Sequence, residues 1–165
     1  MKAYDTDGDG RIGGKELAKI PSLQSALAHV DTSNDGMVSI EELATRIVSW
    51  QQSRIGVLSV SCSVTIDDTP VNGAHVRFIP EEFLGNAIMT CSGKSTARGD
   101  VMLAIDDPLL KTRGINGAHC GFYKVVITGS AIPSKYVTTD TPLGVEVAPD
   151  AEWLKSGLRF LLRSP

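Results

Sequence analysis

Two acidic, glycine-containing segments near the start of the chain limit what this region can fold into. Residues 5–16 read DTDGDGRIGGKE, and residues 31–42 read DTSNDGMVSIEE. Glycine and short polar side chains disfavour both helix and strand, so the first segment is not stable as regular secondary structure. Its four clustered carboxylates also repel one another. We therefore expect a bound cation to hold the first segment in one conformation.

Both segments carry oxygen donors at the positions from which a twelve-residue loop surrounds a calcium ion. Calcium binds six to eight oxygens, which such a loop supplies from positions 1, 3, 5, 7 and 12, with a glycine turn at position 6. In the first loop, residues 5–16, the predicted ligands are Asp5, Asp7, Asp9, the carbonyl of Arg11, and Glu16. In the second loop, residues 31–42, they are Asp31, Ser33, Asp35, the carbonyl of Met37, and Glu42. The sequence thus predicts two Ca²⁺ sites.

Other positions of the two loops agree with this prediction. Gly10 and Gly36 stand at position 6, where the turn is sharpest. Ile12 and Val38 stand at position 8 and are expected to pair through a short strand. Residues 1 to about 50 therefore resemble the EF-hand family, which implies calcium binding by both loops. The alternative is a pair of acidic surface turns that bind nothing.

The resemblance is incomplete at two points. An EF-hand has a full helix before its loop, whereas only Met1 to Tyr4 precede the first loop and are expected to form the last turn of such a helix. We therefore expect the chain to be a portion of a longer protein. The loops are offset by only 26 residues, from 5 to 31, and Pro21 with Ser22 is expected to end one helix and cap the next. This spacing permits a compact, dockerin-like arrangement, although dockerins generally close their loops with aspartate rather than glutamate.

The two predicted sites differ in charge. The first loop has four carboxylates among its ligands and the second has three, because Ser33 replaces an acid. Fewer charged ligands usually weaken calcium binding. We therefore predict that the second loop is the weaker site.

The composition argues against several classes of function. With 42% hydrophobic and 21% charged residues, the chain is globular rather than disordered. Its net charge of −3 argues against nucleic acid or an anionic membrane surface as a partner. No apolar run approaches the ~20 residues that span a bilayer. The first residues, MKAYDTDGDG, have no apolar stretch of signal-peptide type.

Near residue 53 the apolar pattern changes from helical spacing to strict alternation. Leu43, Ile47 and Trp50 recur at helical spacing, whereas VLSVSCSVTID, residues 57–67, alternates apolar and polar positions. About seven such strands with turns between them and no helix predict a β-sandwich, with a barrel as the main alternative. The predicted fold class is therefore α+β. It has a helical EF-hand pair at residues 1–52 and an antiparallel, transthyretin- or immunoglobulin-like β-sandwich at residues 53–165.

Three segments of the second half resemble the carboxypeptidase regulatory-like family, a transthyretin-like β-sandwich. They are VTIDDTPVNGAHVRFIP (64–80), STARGDVMLAI (95–105) and CGFYKVVITG (120–129). Because these motifs are structural, the resemblance implies a fold and a bacterial surface or periplasmic setting but no chemistry. The long segments 81–91 and 132–153 are either loops that carry recognition or, as we expect, extra edge strands.

No catalytic constellation is recognisable in the sequence. The histidines, His29, His75 and His119, are not spaced to pair with a nucleophile and an acid. Cys62 is expected in the core, and Cys91 and Cys120 can form a disulfide only if their strands are neighbours. We therefore predict that the protein is not an enzyme.

The function expected from the sequence is calcium binding that orders the helical part and presents the sandwich, within a secreted, periplasmic or cell-surface protein. In that setting a calcium affinity of ~10⁻⁴ to 10⁻³ M suffices for a structural site. One alternative is a calcium sensor that exposes an apolar groove to a partner. Another is an adhesion or carbohydrate-binding module with an unidentified protein or glycan partner. Trp153 and Tyr136 are its candidate exposed aromatics, although local packing is the role we expect more of each.

Overall fold

A computed structural model describes residues 4–164, so the helical turn predicted at residues 1–4 lies almost entirely outside the described chain. The part up to residue 52 is helical and carries both loops. Its elements are β1 (Arg11–Ile12), α1 (Gly14–Leu17), α2 (Pro21–Ser25), α3 (Leu27–Val30), β2 (Val38–Ser39) and α4 (Ile40–Gln52).

The two loops meet through the predicted short strands. β1 and β2 pair antiparallel, with Ile12 opposite Val38 and Arg11 opposite Ser39. Ile12 and Val38 are fully buried, so the apolar residue at position 8 of each loop enters the core of the helical part. The predicted pairing is confirmed, and it joins the two loops into one unit.

The chain between the loops is divided into short helices at the predicted proline. α1 ends at Leu17, and Pro21 begins α2, where a missing N–H leaves no hydrogen bond unmade. The prediction that Ser22 caps this helix is wrong, because Ile20 occupies the cap position. The hydroxyl of Ser22 instead donates a hydrogen bond to Glu81 in the second part of the chain.

The rest of the described chain forms two sheets. Its strands are β3 (Ser61–Ile66), β4 (Thr69–Pro70), β5 (His75–Pro80), β6 (Cys91–Lys94), β7 (Asp100–Met102), β8 (Ala104–Ile105), β9 (Gly121–Thr128), β10 (Gly144–Val147) and β11 (Leu158–Leu162). The five-stranded sheet has the order β10-β9-β5-β6-β8. The second sheet has the order β11-β3-β4, and β7 also pairs with β3.

Short helices interrupt this part, contrary to the expectation of none. They are α5 (Pro108–Thr112), α6 (Trp153–Ser156) and 3-10 turns at Glu82–Leu84 and Ser134–Tyr136. Within segment 81–91 the structure has the first of these turns rather than the expected edge strand. Segment 132–153 does supply one, since β10 lies at the edge of the five-stranded sheet.

One strand pairing differs from the predicted antiparallel arrangement. β11 pairs parallel with β3, with Leu158 opposite Cys62 and Leu162 opposite Ile66. Antiparallel neighbours can be joined by a tight hairpin, whereas parallel strands need a long connection. β11 is separated from β3 by most of the sheet part, so its orientation is set by the preceding segments and not by a turn.

Hydrophobic side chains form two clusters, one on each face of the five-stranded sheet. The first lies between the two sheets and includes Val64 and Phe160. The second lies between the five-stranded sheet and the helical part and includes Trp50 and Phe122. Because Tyr123 belongs to the first cluster, β9 is buried on both faces.

The α+β fold class is confirmed, with a helical part and sheets that are antiparallel except for the β11–β3 pair in one chain. α4 ends at Gln52, and the division into residues 1–52 and 53–165 stays a prediction because the two parts share a hydrophobic cluster. Within residues 4–164, no helix combines the length and hydropathy needed to cross a bilayer.

Candidate metal centre

The first loop gathers three aspartates around one point. Carboxylate oxygens of Asp5, Asp7 and Asp9 all lie within 4.8 Å of one another. Calcium–oxygen distances are about 2.3–2.6 Å, so ligands on opposite sides of one ion lie about 5 Å apart. The three carboxylates therefore fit around a single calcium ion.

Backbone amides of the first loop hold these carboxylates in place. The amides of Gly8 and Gly10 donate to Asp5 at 2.8 and 3.1 Å. The amide of Arg11 donates to Asp9 at 2.8 Å. The side chains at positions 1 and 5 are thus oriented by the loop itself.

Glu16, the predicted ligand at position 12 of the first loop, is hydrogen-bonded across that loop. Its Oε1 accepts hydrogen bonds from the hydroxyl and the amide of Thr6 at 2.8 and 2.5 Å, and from the amide of Asp7 at 3.3 Å. These bonds, the Thr6 hydroxyl foremost, lower the pKa of Glu16. Its carboxylate is therefore ionised at neutral pH, as a calcium ligand must be.

Glu42 closes the second loop by the same bonds at equivalent positions. Its Oε1 accepts from the amide of Ser33 at 3.0 Å, and its Oε2 accepts from the amide of Ser39 at 2.9 Å. The Ser39 amide is the main cause that lowers the pKa of Glu42, to about 2. The hydroxyl of Ser39 in turn accepts from the amide of Glu42 at 3.2 Å and caps α4.

The remaining side chains predicted as ligands in the second loop are oriented by backbone amides of that loop. Its carboxylates do not gather as those of the first loop do, since Asp5, Asp7 and Asp9 are the one such group among the described residues. Asp31 accepts from the amide of Gly36 at 2.8 Å, and Asp35 accepts from the amide of Met37 at 2.9 Å. These bonds match those of the aspartates at positions 1 and 5 of the first loop. The hydroxyl of Ser33 donates to Asp31 at 3.2 Å, so the serine at position 3 lies beside the first ligand.

Both loops turn with left-handed backbone at positions 4 and 6. The φ angles are 78° at Gly8 and 83° at Gly10, and 60° at Asn34 and 79° at Gly36. Glycine adopts this conformation without steric cost, and asparagine tolerates it better than most residues. The two loops therefore have the same backbone conformation at these positions, although the second carries fewer acids.

The predicted backbone ligands lie where β1 and β2 begin, and their side chains connect the loops. Arg11 is the first residue of β1, and its guanidinium pairs with Asp35 of the second loop. Met37 precedes β2, and its side chain lies against the first loop at Gly13. A Cβ added at Gly13 would lie 2.7 Å from Met37 Cγ, so a larger side chain at position 9 of the first loop would require the Met37 side chain to move.

A buried carboxylate ties the first loop to the sheet part. Glu81, which follows β5, is fully buried. It accepts from the hydroxyls of Ser22 at 2.6 Å and Tyr4 at 3.4 Å, and Lys124 Nζ lies 3.5 Å away. Burial raises the pKa of Glu81, while these partners oppose the rise. Because Tyr4 directly precedes the ligand Asp5, this network fixes the start of the loop.

A second network ties the second loop to the sheet part. Arg46, one turn after Glu42 on α4, donates from Nε to Glu146 at 2.5 Å and from its two terminal nitrogens to Asp150 at 2.9 and 2.7 Å. The indole of Trp50 donates to the same Glu146 at 3.2 Å. Burial raises the pKa of Glu146, opposed by Arg46. Hydrogen bonds from Arg46 lower the pKa of Asp150 to about 2.

A chain of four aromatic rings connects these two anchoring points across the five-stranded sheet. Tyr4 lies 5.9 Å from Phe83, and Phe83 lies 6.0 Å from Phe122, between ring centroids. Phe122 lies 4.9 Å from Trp50 on α4. The residue before the first loop and the helix after the second therefore pack against the same face of the sheet.

The histidines take part in separate local contacts. His29 Nδ1 lies 3.6 Å from Asp150, and His119 Nδ1 lies 2.7 Å from the carbonyl oxygen of Gly56. His75 is exposed on β5. Whether the protein is an enzyme stays a prediction.

All three cysteines are described, and each is a free, buried thiol. The disulfide between Cys91 and Cys120 considered from the sequence does not form, because Cys91 lies in the cluster between the sheets and Cys120 in the cluster against the helices. Cys62 lies in the core as predicted, and burial raises its thiol pKa to about 12. Such a thiol is unreactive at neutral pH.

One of the two aromatic candidates for a recognition surface is not exposed. Tyr136 is buried, and its hydroxyl accepts from the amide of Arg163 at 3.2 Å. Trp153 is half-buried, and its indole donates to the carbonyl of Glu146 at 2.8 Å. The prediction of exposure is wrong for Tyr136, and Trp153 packs against both hydrophobic clusters.

Comparison with protein families supports the prediction that the first loop is of the EF-hand type. An EF hand family model matches residues 1–21, a segment that contains Asp5 to Glu16. No curated protein matches the chain, and no solved structure does. The chain is thus similar to EF-hand proteins over its first loop, which supports calcium binding there beside a sheet-rich part.

Proposed function

We propose that this chain is a non-catalytic calcium-binding module in which an EF-hand pair orders and presents a β-sandwich. One calcium ion is bound by each loop through the ligands predicted above. The sandwich is of the transthyretin-like class to which the carboxypeptidase regulatory-like family belongs. This assignment is supported by the hydrophobic cluster that the two sheets share, in which the ring centroids of Phe78 and Phe160 lie 6.0 Å apart.

The observation that carries this proposal is the hydrophobic cluster that the helical part shares with the five-stranded sheet. Phe122 of β9 is fully buried between Trp50 of the helical part and Phe83 of the sheet part. Burial of apolar surface contributes roughly 25 cal/mol per Å². Tyr4 and α4 directly adjoin the two loops. An ion that orders the loops therefore also holds Tyr4 and α4 in place and stabilises this packing.

The same cluster favours a structural role over a sensor. Calcium sensors expose an apolar groove when the ion binds. Here Phe122, Ala148 and Ala151 of the sheet part already cover the apolar face of the helical part. Opening that face would return this surface to water at the cost of its burial. A secreted, periplasmic or cell-surface location, where calcium is abundant, fits such a structural site.

Calcium titration combined with hydrogen exchange tests the proposal. We expect two binding events by calorimetry in the wild-type chain and none in the double variant Glu16→Gln, Glu42→Gln. Calcium is also expected to slow amide exchange in both loops and at residues 81–84, which contact Tyr4. The double variant should lose this protection while keeping its sheets.

The matched control is Glu41→Gln, because Glu41 is exposed beside Glu42 and is not a predicted ligand. It removes one charge and should retain both binding events. Exchange rates in the sheet part that do not change with calcium would contradict the proposed ordering. Micromolar binding accompanied by a new dye-binding surface would instead indicate a sensor.

A further inference from the structure

The two segments that flank the second loop reach the same carboxylate of the sheet part. His29 lies on α3, before the first ligand Asp31, and its Nδ1 is 3.6 Å from Oδ2 of Asp150. Arg46 lies on α4, after the last ligand Glu42, and binds both oxygens of Asp150 at 2.9 and 2.7 Å. Asp150 thus bridges the entering and exiting helices of this loop from outside it.

The exiting side of this bridge is rigid. Arg46 is also held by Glu146 on β10 at 2.5 Å, and only 8% of its side chain is exposed. A guanidinium bound to two carboxylates through a fixed fork loses little further freedom. Since β10 is hydrogen-bonded to β9 along its whole length, the bridge is supported by the sheet.

The bridge is made while the second loop already has the backbone of a calcium loop. Asn34 and Gly36 have left-handed φ angles, and Glu42 is hydrogen-bonded to Ser33 across the loop. Binding an ion to a flexible loop costs conformational entropy, and fixing the loop beforehand reduces that cost. Contacts that hold α3 and α4 at this separation therefore favour the ion-binding conformation.

We propose that Asp150 is a positioning residue for the second calcium site, which raises the affinity of the second loop without contacting the ion. This inference rests on the proposed calcium binding by that loop. Coupling between two sites is reciprocal, so calcium in the second loop fastens the helical part to the sheet part in return.

The test is carried out in the Glu16→Gln background, in which only the second loop binds calcium. Adding Asp150→Asn, which keeps the shape of the side chain and removes its charge, is expected to weaken the calcium affinity of the second loop roughly fivefold or more. In chelator, the same change should speed amide exchange in α3 and α4. Asp150 is 56% exposed, so its replacement by asparagine leaves the fold intact.

Two further variants isolate the effect. His29→Gln removes only the contact on the entering side and should give a smaller loss of affinity together with faster exchange in α3. Asp140→Asn removes one exposed carboxylate elsewhere in the sheet part and should change neither quantity.

The outcomes separate this inference from the function on which it rests. Calcium affinity of the second loop that is unchanged by Asp150→Asn would overturn the positioning role and leave calcium binding intact. A Glu16→Gln chain that binds no calcium at all would overturn both, because the second loop would then not be a site. Loss of affinity in Asp150→Asn, with Asp140→Asn unchanged, supports the proposal.

Discussion

The two loops share one pattern of internal hydrogen bonds but differ in how their negative charge is compensated. In the first loop, three carboxylates lie within 4.8 Å of one another and accept bonds from backbone amides of the loop. In the second loop, Ser33 replaces an acid and Asp35 is paired with the guanidinium of Arg11. The first loop therefore presents more negative charge to an ion, whereas part of the negative charge of the second loop is compensated by the guanidinium of Arg11.

The loops also differ in how they are fixed to the sheet part. The first is fixed through Tyr4, whose hydroxyl lies 3.4 Å from the buried Glu81. The second is fixed after its last position through Arg46 to Asp150, and His29 before the loop lies 3.6 Å from the same carboxylate. Calcium affinity depends both on ligand charge and on the rigidity of the site. The first loop carries the larger negative charge, and the second loop is more firmly attached to the sheet part.

The largest effect is expected from replacing Phe122, whose packing contacts lead to both loops. Phe122→Ala removes the ring packed against both Trp50 and Phe83 and should destabilise the protein by about 3–5 kcal/mol. Because these contacts lead to both loops, we expect both calcium affinities to fall together. Calorimetry and denaturant unfolding measure the two quantities.

Phe160→Ala is the matched control for this change. Phe160 is buried in the cluster between the two sheets, so its loss should lower stability by a similar amount without altering calcium binding. A loss of affinity confined to one loop in Phe122→Ala would show that the cluster supports that loop alone.

The second prediction tests whether ligand charge or rigidity of the loop decides which loop binds calcium more tightly. Glu16→Gln and Glu42→Gln should each weaken their own site by more than about tenfold, since even outer-shell partners of metal ligands are worth that much. On the count of four carboxylates against three, the site that survives in Glu42→Gln should be the tighter one. Calorimetric titration of each single variant measures the order. The reverse order would mean that the support of Asp150 outweighs the missing charge.

The turns and the strand pairing of the loops could be predicted from sequence because the pattern that sets them is local, while the ligand sets stay predictions. Positions 1 to 12 carry the donors, the glycine turn and the apolar residue at position 8, so a short stretch fixes the geometry of each site. The alternating strands could be predicted for the same reason, since one buried face leaves a period of two. Ser22 shows the limit of local reasoning, because its hydroxyl binds Glu81 instead of capping its own helix.

The anchoring of the helical part could not be predicted in this way. Glu81 meets Ser22 from 59 positions away, and Glu146 meets Arg46 from 100 positions away, so the partners share no local pattern. Two signals were nevertheless present in the sequence. Arg46 falls on the same helical face as Trp50, and Phe122 breaks the alternation of β9, as expected of a strand covered on both faces.

The third prediction uses pH to isolate the support of the second loop. Arg46 holds the pKa of Asp150 at about 2, below its ordinary 3.8. A lowered folded-state pKa means that this carboxylate stabilises the protein fully above its ordinary pKa and loses that effect as the pH falls towards 2. Because the side chain is 56% exposed, its contribution should not exceed about 1 kcal/mol.

Urea unfolding of the wild-type chain and of Asp150→Asn in chelator measures this contribution between pH 6 and pH 2. The difference in the free energy of unfolding should be constant at the upper end and should shrink below about pH 4. A difference that persists at the lowest pH would show that asparagine perturbs packing and not the ion pair.

The smallest effect is expected from the pair that joins the two loops. Arg11→Gln removes the guanidinium from Asp35 while the backbone carbonyl of residue 11 remains available to the first loop. Both side chains are partly exposed, at 47% and 30%, so the pair is worth only about 0.2–1 kcal/mol and is screened by salt. Because Arg11 and calcium compete for the same carboxylate, the second loop should bind calcium two- to threefold more tightly in low salt, by about that free energy.

Calorimetry at low and high salt tests this competition, with Lys19→Gln as a control that removes an exposed charge between α1 and α2. The gain should vanish at high salt and be absent in the control. Weaker binding by Arg11→Gln would mean that Arg11 orients Asp35 for the ion rather than competing with it. In that case the contact between Arg11 and Asp35 both compensates charge and holds Asp35 in place. The calcium affinity of the second loop then depends on both effects through this one contact.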